Sequence, residues 1–131
     1  MSQHTPQAAA IAMSDGQICI VTTSGGKGWV VPKGNLRPGL GLADAAALEA
    51  WEEAGLKGEV IPEPIGEFIY KKKGGSYFVT AFAIEVSEVS ETWPEQQKRS
   101  RKWVSIREAA EIVRYPQLRS ALARFAAIEV S

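Results

Sequence analysis

This chain of 131 residues is poor in the side chains that most often carry chemistry alone: it has one cysteine and one histidine. Cys19 stands in the apolar run ICIVTT, so an internal disulfide is excluded, and the expectation is a buried structural thiol in a reducing compartment. His4 lies in the polar stretch MSQHTPQAAA, which rules out a histidine-based triad or histidine-rich metal centre and reads as a tail residue. Net charge of either sign is also missing, because 15 basic and 15 acidic residues balance and the pI is about 6.6. A general affinity for nucleic acid or a membrane surface is therefore not expected, and any basic patch must be local. No apolar run approaches the roughly eighteen residues of a membrane span, and the first residues show neither the basic nor the apolar part of a secretory signal. The expectation is a soluble, cytoplasmic, single domain over residues 1–131, large enough for a real core and one active site.

What is present is a strand-rich first half, one strong helix and a helical end. AAAIAM (8–13) and QICIVTT (17–23) flank the turn signal Ser14-Asp15-Gly16 and predict a hairpin or two consecutive strands. GWVVP (28–32) predicts a short strand closed by Pro32; KGNLRPGLG (33–41), with three glycines and a proline, predicts a loop. Residues 43–54 are strong helix formers, with Asp44 placed to cap the first turn and Gly55 where a helix end takes a left-handed residue. Further strands are predicted over 58–61, 65–72 and 76–86, the last two joined by a Lys-Gly-Gly turn, and at RKWVSI. Apolar residues at helical spacing predict helices over 107–113 and 117–128, with Pro116 between them. The sequence contains no repeat, linker or low-complexity segment.

The stretch LEAWEEAG (48–55) raises a chemical question, since no lysine or arginine interrupts its glutamates. At about 100° per residue, Glu49, Glu52 and Glu53 share a sector of roughly 100°, while Ala47, Ala50, Trp51 and Ala54 fall on the other side. The Trp51 face is expected to pack into the domain, with the carboxylates turned outward or into a cleft. Like charges at these spacings cost a few tenths of a kcal/mol per pair. A solvated acidic face is one reading. The other is a site for one or two hard divalent cations, Mg²⁺ or alternatively Mn²⁺, which take oxygen ligands and are often shared with substrate phosphates.

Residues 32–58, PKGNLRPGLGLADAAALEAWEEAGLKG, resemble the Nudix box, G-x5-E-x7-R-E-U-x-E-E-x-G-U with U an aliphatic residue. Gly34, Glu49, Glu52, Glu53, Gly55 and Leu56 stand at its positions in one register, over residues 34–56. Two positions depart from it: Leu40 stands at the first glutamate and Leu48 at the arginine. In the family that arginine is regarded as orienting a neighbouring glutamate, and the first glutamate as an aid to the loop and metal shell. Losing both removes a compatible pair rather than leaving one buried charge alone. The resemblance implies an α/β fold, the Nudix α/β/α sandwich with a mixed, partly antiparallel sheet. It also implies that Glu49, Glu52 and Glu53 are catalytic and hold Mg²⁺.

YKKKGGSYFVTAFAIEV and WPEQQKRSRKWVSIREAAEIV look like the branch of that family containing diphosphoinositol polyphosphate phosphohydrolases and dinucleoside polyphosphate hydrolases. Lys71, Lys72 and Lys73 at a hairpin bend, with Arg99 and Arg101, can then surround a phosphate-dense substrate. Strand alternation puts Arg99, Arg101 and Trp103 on one face and Lys102 and Val104 on the other. The plain alternative is that the lysines keep an exposed edge soluble. Lys33 and Arg37, on the loop before the helix, are further candidates for phosphate contact. Trp93 and Trp103 read as core or loop anchors, and Glu95 in the WPE loop as a candidate general base.

The implied activity is Mg²⁺-dependent hydrolysis of a phosphoanhydride, in a nucleoside diphosphate linked to another moiety, such as a dinucleoside polyphosphate, or in a diphosphoinositol polyphosphate. The alternative is a weakly active or inactive module of the same fold that binds a nucleotide or polyphosphate. The expected partner is a phosphate-rich small molecule, not a membrane or nucleic acid, and the expected state is a monomer or homodimer.

Overall fold

The computed structural model describes residues 3–130, and side chains over 3–127. In chain order the elements are β1 (Thr5–Ser14), β2 (Gln17–Thr22), β3 (Trp29–Val30), β4 (Lys33–Asn35), α1 (Leu42–Ala54), β5 (Leu56–Val60), β6 (Gly66–Lys72), β7 (Gly75–Val89), β8 (Arg101–Ser105), α2 (Ile106–Ile112) and α3 (Pro116–Val130). The hairpin of β1 and β2 closes at Asp15 and Gly16, both at positive φ (52° and 78°), the turn whose twist suits the flanking strands.

Among the described residues the strands form one mixed sheet. Its centre is a parallel pair, β1 with β7, in register from Thr5–Tyr77 to Met13–Glu85. Each of these long strands shares its other edge between two antiparallel neighbours. β1 takes β4 at its start and β2 at its end, and β7 takes β6 at its start and β5 at its end. β2 also carries β3 and β8. The run Ala8 to Ala12 in β1 is buried throughout, because a parallel pair covered by helices has no solvent face, and this is why its alternation is weak in the sequence. α1 packs on β1, β4, β5 and β7, α3 on β6, and α2 on β2 and β8, giving the expected layered α/β architecture.

Three local expectations are corrected. Residues 33–35 of the expected loop are strand β4, paired with Gln7, Ala8 and Ala9. Asp44 is not the helix cap: Gly41 takes that position without a side-chain bond, and Asp44 lies within the first turn, where a negative charge suits the helix dipole. The third concerns which face of α1 is buried. Ala45, Ala46, Glu49, Ala50, Glu53 and Ala54 face the sheet, while Trp51 is half-exposed beneath Lys57. Alanines let the helix approach the alanine-rich β1 closely, and this outweighs the larger apolar area of one tryptophan. Gly55 ends the helix as expected, at φ 71°.

Candidate active site

The sequence of α1 carries two glutamates into the sheet-facing sector, and the close helix packing leaves them little water. Glu49 and Glu53 are each 4 % exposed. Gly34 of β4 makes room for the first, since a Cβ there would stand 2.5 Å from Glu49 Oε2. The Lys33 backbone N–H donates to Glu53 Oε1 at 3.3 Å. Burial pushes the Glu53 carboxyl up to about 8, against the lowering pull of Arg99, and burial also raises Glu49. The two carboxyls act on each other, the Glu49 charge raising Glu53 further, so they titrate as a pair. Glu52, on the outer edge, accepts two bonds from Arg37, at 2.6 and 3.2 Å, and the same guanidinium reaches Glu49 at 3.7 Å.

The segment before β8 closes the other side. Arg99 lies 3.4 Å from Glu53 Oε2, donates to Glu95 Oε1 at 2.7 Å, and donates to the Thr22 carbonyl at 2.9 Å. Glu95 in turn places its backbone N–H on the Glu52 carbonyl at 3.0 Å. Arg101, two residues on, is placed elsewhere: it donates to the Ala54 carbonyl at 2.6 Å and its guanidinium lies 4.1 Å from the Trp93 ring centroid. It buttresses the end of α1 and does not reach the glutamates. Arg99 also precedes β8, so strand alternation does not relate the two arginines. Trp93 is the loop anchor expected, its Nε1 donating to the Glu53 carbonyl at 3.0 Å.

Beyond Glu53 opens a cavity of about 180 Å³. Its floor is a hydrogen-bonded row in which Tyr70 donates to Gln7 and Gln7 to Asn35, at 3.1 and 2.8 Å. Lys33 Nζ lies 5.0 and 5.6 Å from the Tyr70 and Tyr115 centroids, and burial lowers its ammonium to about 8. Lys72 follows Phe68 and Tyr70 at strand period and lines this cavity; Lys71 and Lys73, exposed like it, do not. Arg114 and Tyr115 also line it, from the corner between α2 and α3. They were not legible as site residues, because they join the pocket only through the fold; the one available signal was their place beside a helix-starting proline.

Among the described residues no three acidic or other metal-ligating side chains converge closely enough to hold an ion in this arrangement. The donor set nonetheless fits a hard divalent cation. Glu49 and Glu53 offer only carboxylate oxygens, and a cation's charge would offset the burial that raises both. Glu52 would complete an oxygen-only set only if released from Arg37. No helix among the described residues is long and apolar enough to cross a membrane. Cys19 is buried, its thiol pushed up to about 12 by that burial.

Comparison with known proteins agrees with this geometry. The model of the NUDIX domain matches residues 3–125. Nudix hydrolase 13, mitochondrial, of Arabidopsis thaliana is 34 % identical over 119 residues, covering 83 % of this chain and 59 % of that protein. Diphosphoinositol polyphosphate phosphohydrolase 2 of Rattus norvegicus is 29 % identical over 87 residues, covering 65 % of this chain and 47 % of that protein. This chain thus spans about half the length of such relatives. Among solved structures, an Ap4A hydrolase of C. elegans superposes with a TM-score of 0.75 at 20 % identity, covering 96 % of this chain and 98 % of that one. A buried pair of glutamates on the helix after a glycine-bearing β4, in this sheet and over this span of the family model, makes the chain a member of the Nudix family.

Proposed function

We propose that this domain is a divalent-metal-dependent pyrophosphohydrolase that cleaves a phosphoanhydride bond, with Mg²⁺ as its ion and Mn²⁺ as a substitute. The observation that carries the reading is the buried Glu49–Glu53 pair at the mouth of a cavity lined by cations. Two carboxyls kept out of water and raised together are held for a cation's charge, because structure alone gives no reason to bury them side by side. Bound there, the ion would neutralise phosphate oxygens and activate a water. The chain's own groups do the rest. Lys33 and Arg99 present positive charge beside Glu53, Lys72 extends it along the cavity, and Arg37 stands over Glu49 and Glu52 at the mouth. Glu95, held by Arg99, is the group outside α1 placed to steer a proton near Glu52 and Glu53.

Diphosphoinositol polyphosphates and dinucleoside polyphosphates are the substrate classes this reading favours, from the names of the rat and nematode relatives. The lone buried thiol of Cys19 favours a reducing compartment such as the cytoplasm. A second reading is supported by Leu40, Leu48 and the hold of Arg37 on Glu52: a module that binds a polyphosphate and turns it over slowly. Phosphate release from a panel of both substrate classes, with and without Mg²⁺, separates them. Wild type should turn over one class only with metal, and Glu53→Gln should lower that turnover by roughly 10²-fold or more. Metal-dependent binding without turnover by wild type would give the second reading the lead.

A further inference from the structure

The positive charge beside Glu52 comes from a loop and not from α1. Leu48, one turn before Glu52 on the helix, stands where the box carries its arginine, and Leu40 where it carries its first glutamate. Arg37 supplies the charge instead. Its guanidinium holds both carboxylate oxygens of Glu52, at 2.6 and 3.2 Å, and among the described residues Glu52 has no other ion-pair partner. The Nη2 that makes the shorter of these bonds also lies 3.7 Å from Glu49 Oε2. Arg37 therefore already occupies the place between two carboxyls that suits a cation.

The backbone of Arg37 is fixed, so a change of partner needs only its side chain. The Leu36 N–H donates to the Pro6 carbonyl at 3.3 Å, and the Arg37 carbonyl accepts from the Leu40 N–H at 3.2 Å. Pro38 and Gly39, the latter at φ 84°, form the turn between them. Among the described residues the side chain has no hydrogen-bond or ion-pair partner besides Glu52 and Glu49, and it is 47 % exposed. The other two arginines near α1 are differently placed. Arg99, 14 % exposed, is held by Glu53, Glu95 and the Thr22 carbonyl, and Arg101 by the Ala54 carbonyl and the Trp93 ring. A pair as open to solvent as that of Arg37 adds little to stability and exchanges readily.

Arg37 competes with a divalent ion for the same oxygens. To admit the ion it must give up both bonds to Glu52, and it is then left without that partner beside a second cation. A phosphate group changes the balance, because two of its oxygens match the planar fork of a guanidinium and it carries more charge than a carboxylate. With Arg37 drawn onto the phosphate, Glu52 is free. Each of the two ligands then eases the entry of the other, and such coupling is reciprocal.

We propose that Arg37 exchanges partners as the site loads: it keeps the place between Glu49 and Glu52 until a substrate phosphate draws its guanidinium away, so that the chain takes its ion together with the phosphate and holds it weakly alone. This exchange rests on the metal-dependent reading above. Titration of the full chain with Mn²⁺, followed by the paramagnetic resonance signal of the free ion, tests it, with methylenediphosphonate as an anion that has no anhydride to cleave. Without the anion, Arg37→Ala should bind Mn²⁺ roughly tenfold more tightly than wild type. With the anion, the affinity of wild type should rise by roughly tenfold more than that of Arg37→Ala, in which only direct chelation of the ion by the diphosphonate remains. Arg37→Gln should match Arg37→Ala. Arg37→Lys, a point charge that cannot span both Glu52 oxygens, should fall between them and wild type. Arg107→Gln, which removes one positive charge from the exposed face of α2, should bind like wild type in both conditions. An arginine that merely orients the glutamates gives the opposite sign, with Arg37→Ala binding Mn²⁺ more weakly. The exchange alone is overturned if binding is lost in Glu53→Gln but Arg37→Ala binds no more tightly than wild type, or if the anion raises both affinities equally. Wild type that takes up no Mn²⁺ with the anion present, or Mn²⁺ binding that Glu53→Gln leaves unchanged, removes the metal-dependent reading and the exchange with it.

Discussion

Glu49 and Glu53, on the inner edge of α1, have side chains 6 % and 5 % exposed, whereas Glu52, one position from Glu53 on the outer edge, is 22 % exposed. The inner pair face the sheet, where burial raises both carboxyls; the outer one accepts two bonds from an arginine that is itself 47 % exposed. Residue type is the same on both edges, so the difference comes from how closely alanines bring the helix to β1 and β4. Burial makes the inner pair costly as charges and therefore responsive to a cation. Solvent makes the outer pair cheap to break.

The largest test of this contrast after loss of Glu53 itself is Gly34→Ala. The new Cβ meets the Glu49 carboxyl, so the variant should lose about 1–3 kcal/mol in chemical denaturation and bind Mg²⁺ more weakly. A pH series on metal-free protein comes next. Unfolded, Glu53 releases its proton near 4.5; folded, it keeps it to about 8, so its contribution is present at acid pH and is lost as pH rises through that window. Stability without metal should therefore fall from pH 5 towards 8, and saturating Mg²⁺ should flatten the slope; a metal-free profile rising over that range would contradict the raised Glu53 carboxyl. Arg101→Ala sharpens the contrast with Arg99. It should cost about 1–2 kcal/mol through the lost bond to the Ala54 carbonyl, while leaving KM unchanged. The smallest effect belongs to Arg37→Ala, which should leave the melting temperature unmoved and raise Mg²⁺ affinity by up to roughly tenfold by freeing Glu52.

Much of this molecule could be read locally. The Asp15-Gly16 turn, the β6–β7 hairpin, the span of α1 and its glycine end are encoded by neighbours in the chain, and so is the register that placed Gly34, Glu49, Glu52 and Glu53 in one motif. The buried face of α1 is not legible in the sequence, because a helical wheel weighs Trp51 by its apolar area and carries no information on the alanine-rich strand it faces. β4 reads as loop in the sequence because a three-residue strand has no periodicity of its own and exists by pairing with β1. Lys71, Lys72 and Lys73 are equivalent in the sequence, and the alternation of β6, fixed by its pairing with β7, puts Lys72 at the cavity.

By itself the sequence determined the family, the order of most elements and the acidic helix, since these follow from spacing along one chain. Only the tertiary structure decided which carboxyls are buried, that Arg99 faces Glu53 while Arg101 does not, and that Arg114 and Tyr115 meet Lys33 and Lys72 around one cavity. Those relations join segments tens of residues apart, and they depend on packing distances and shared desolvation that exist only once the sheet has brought the segments together.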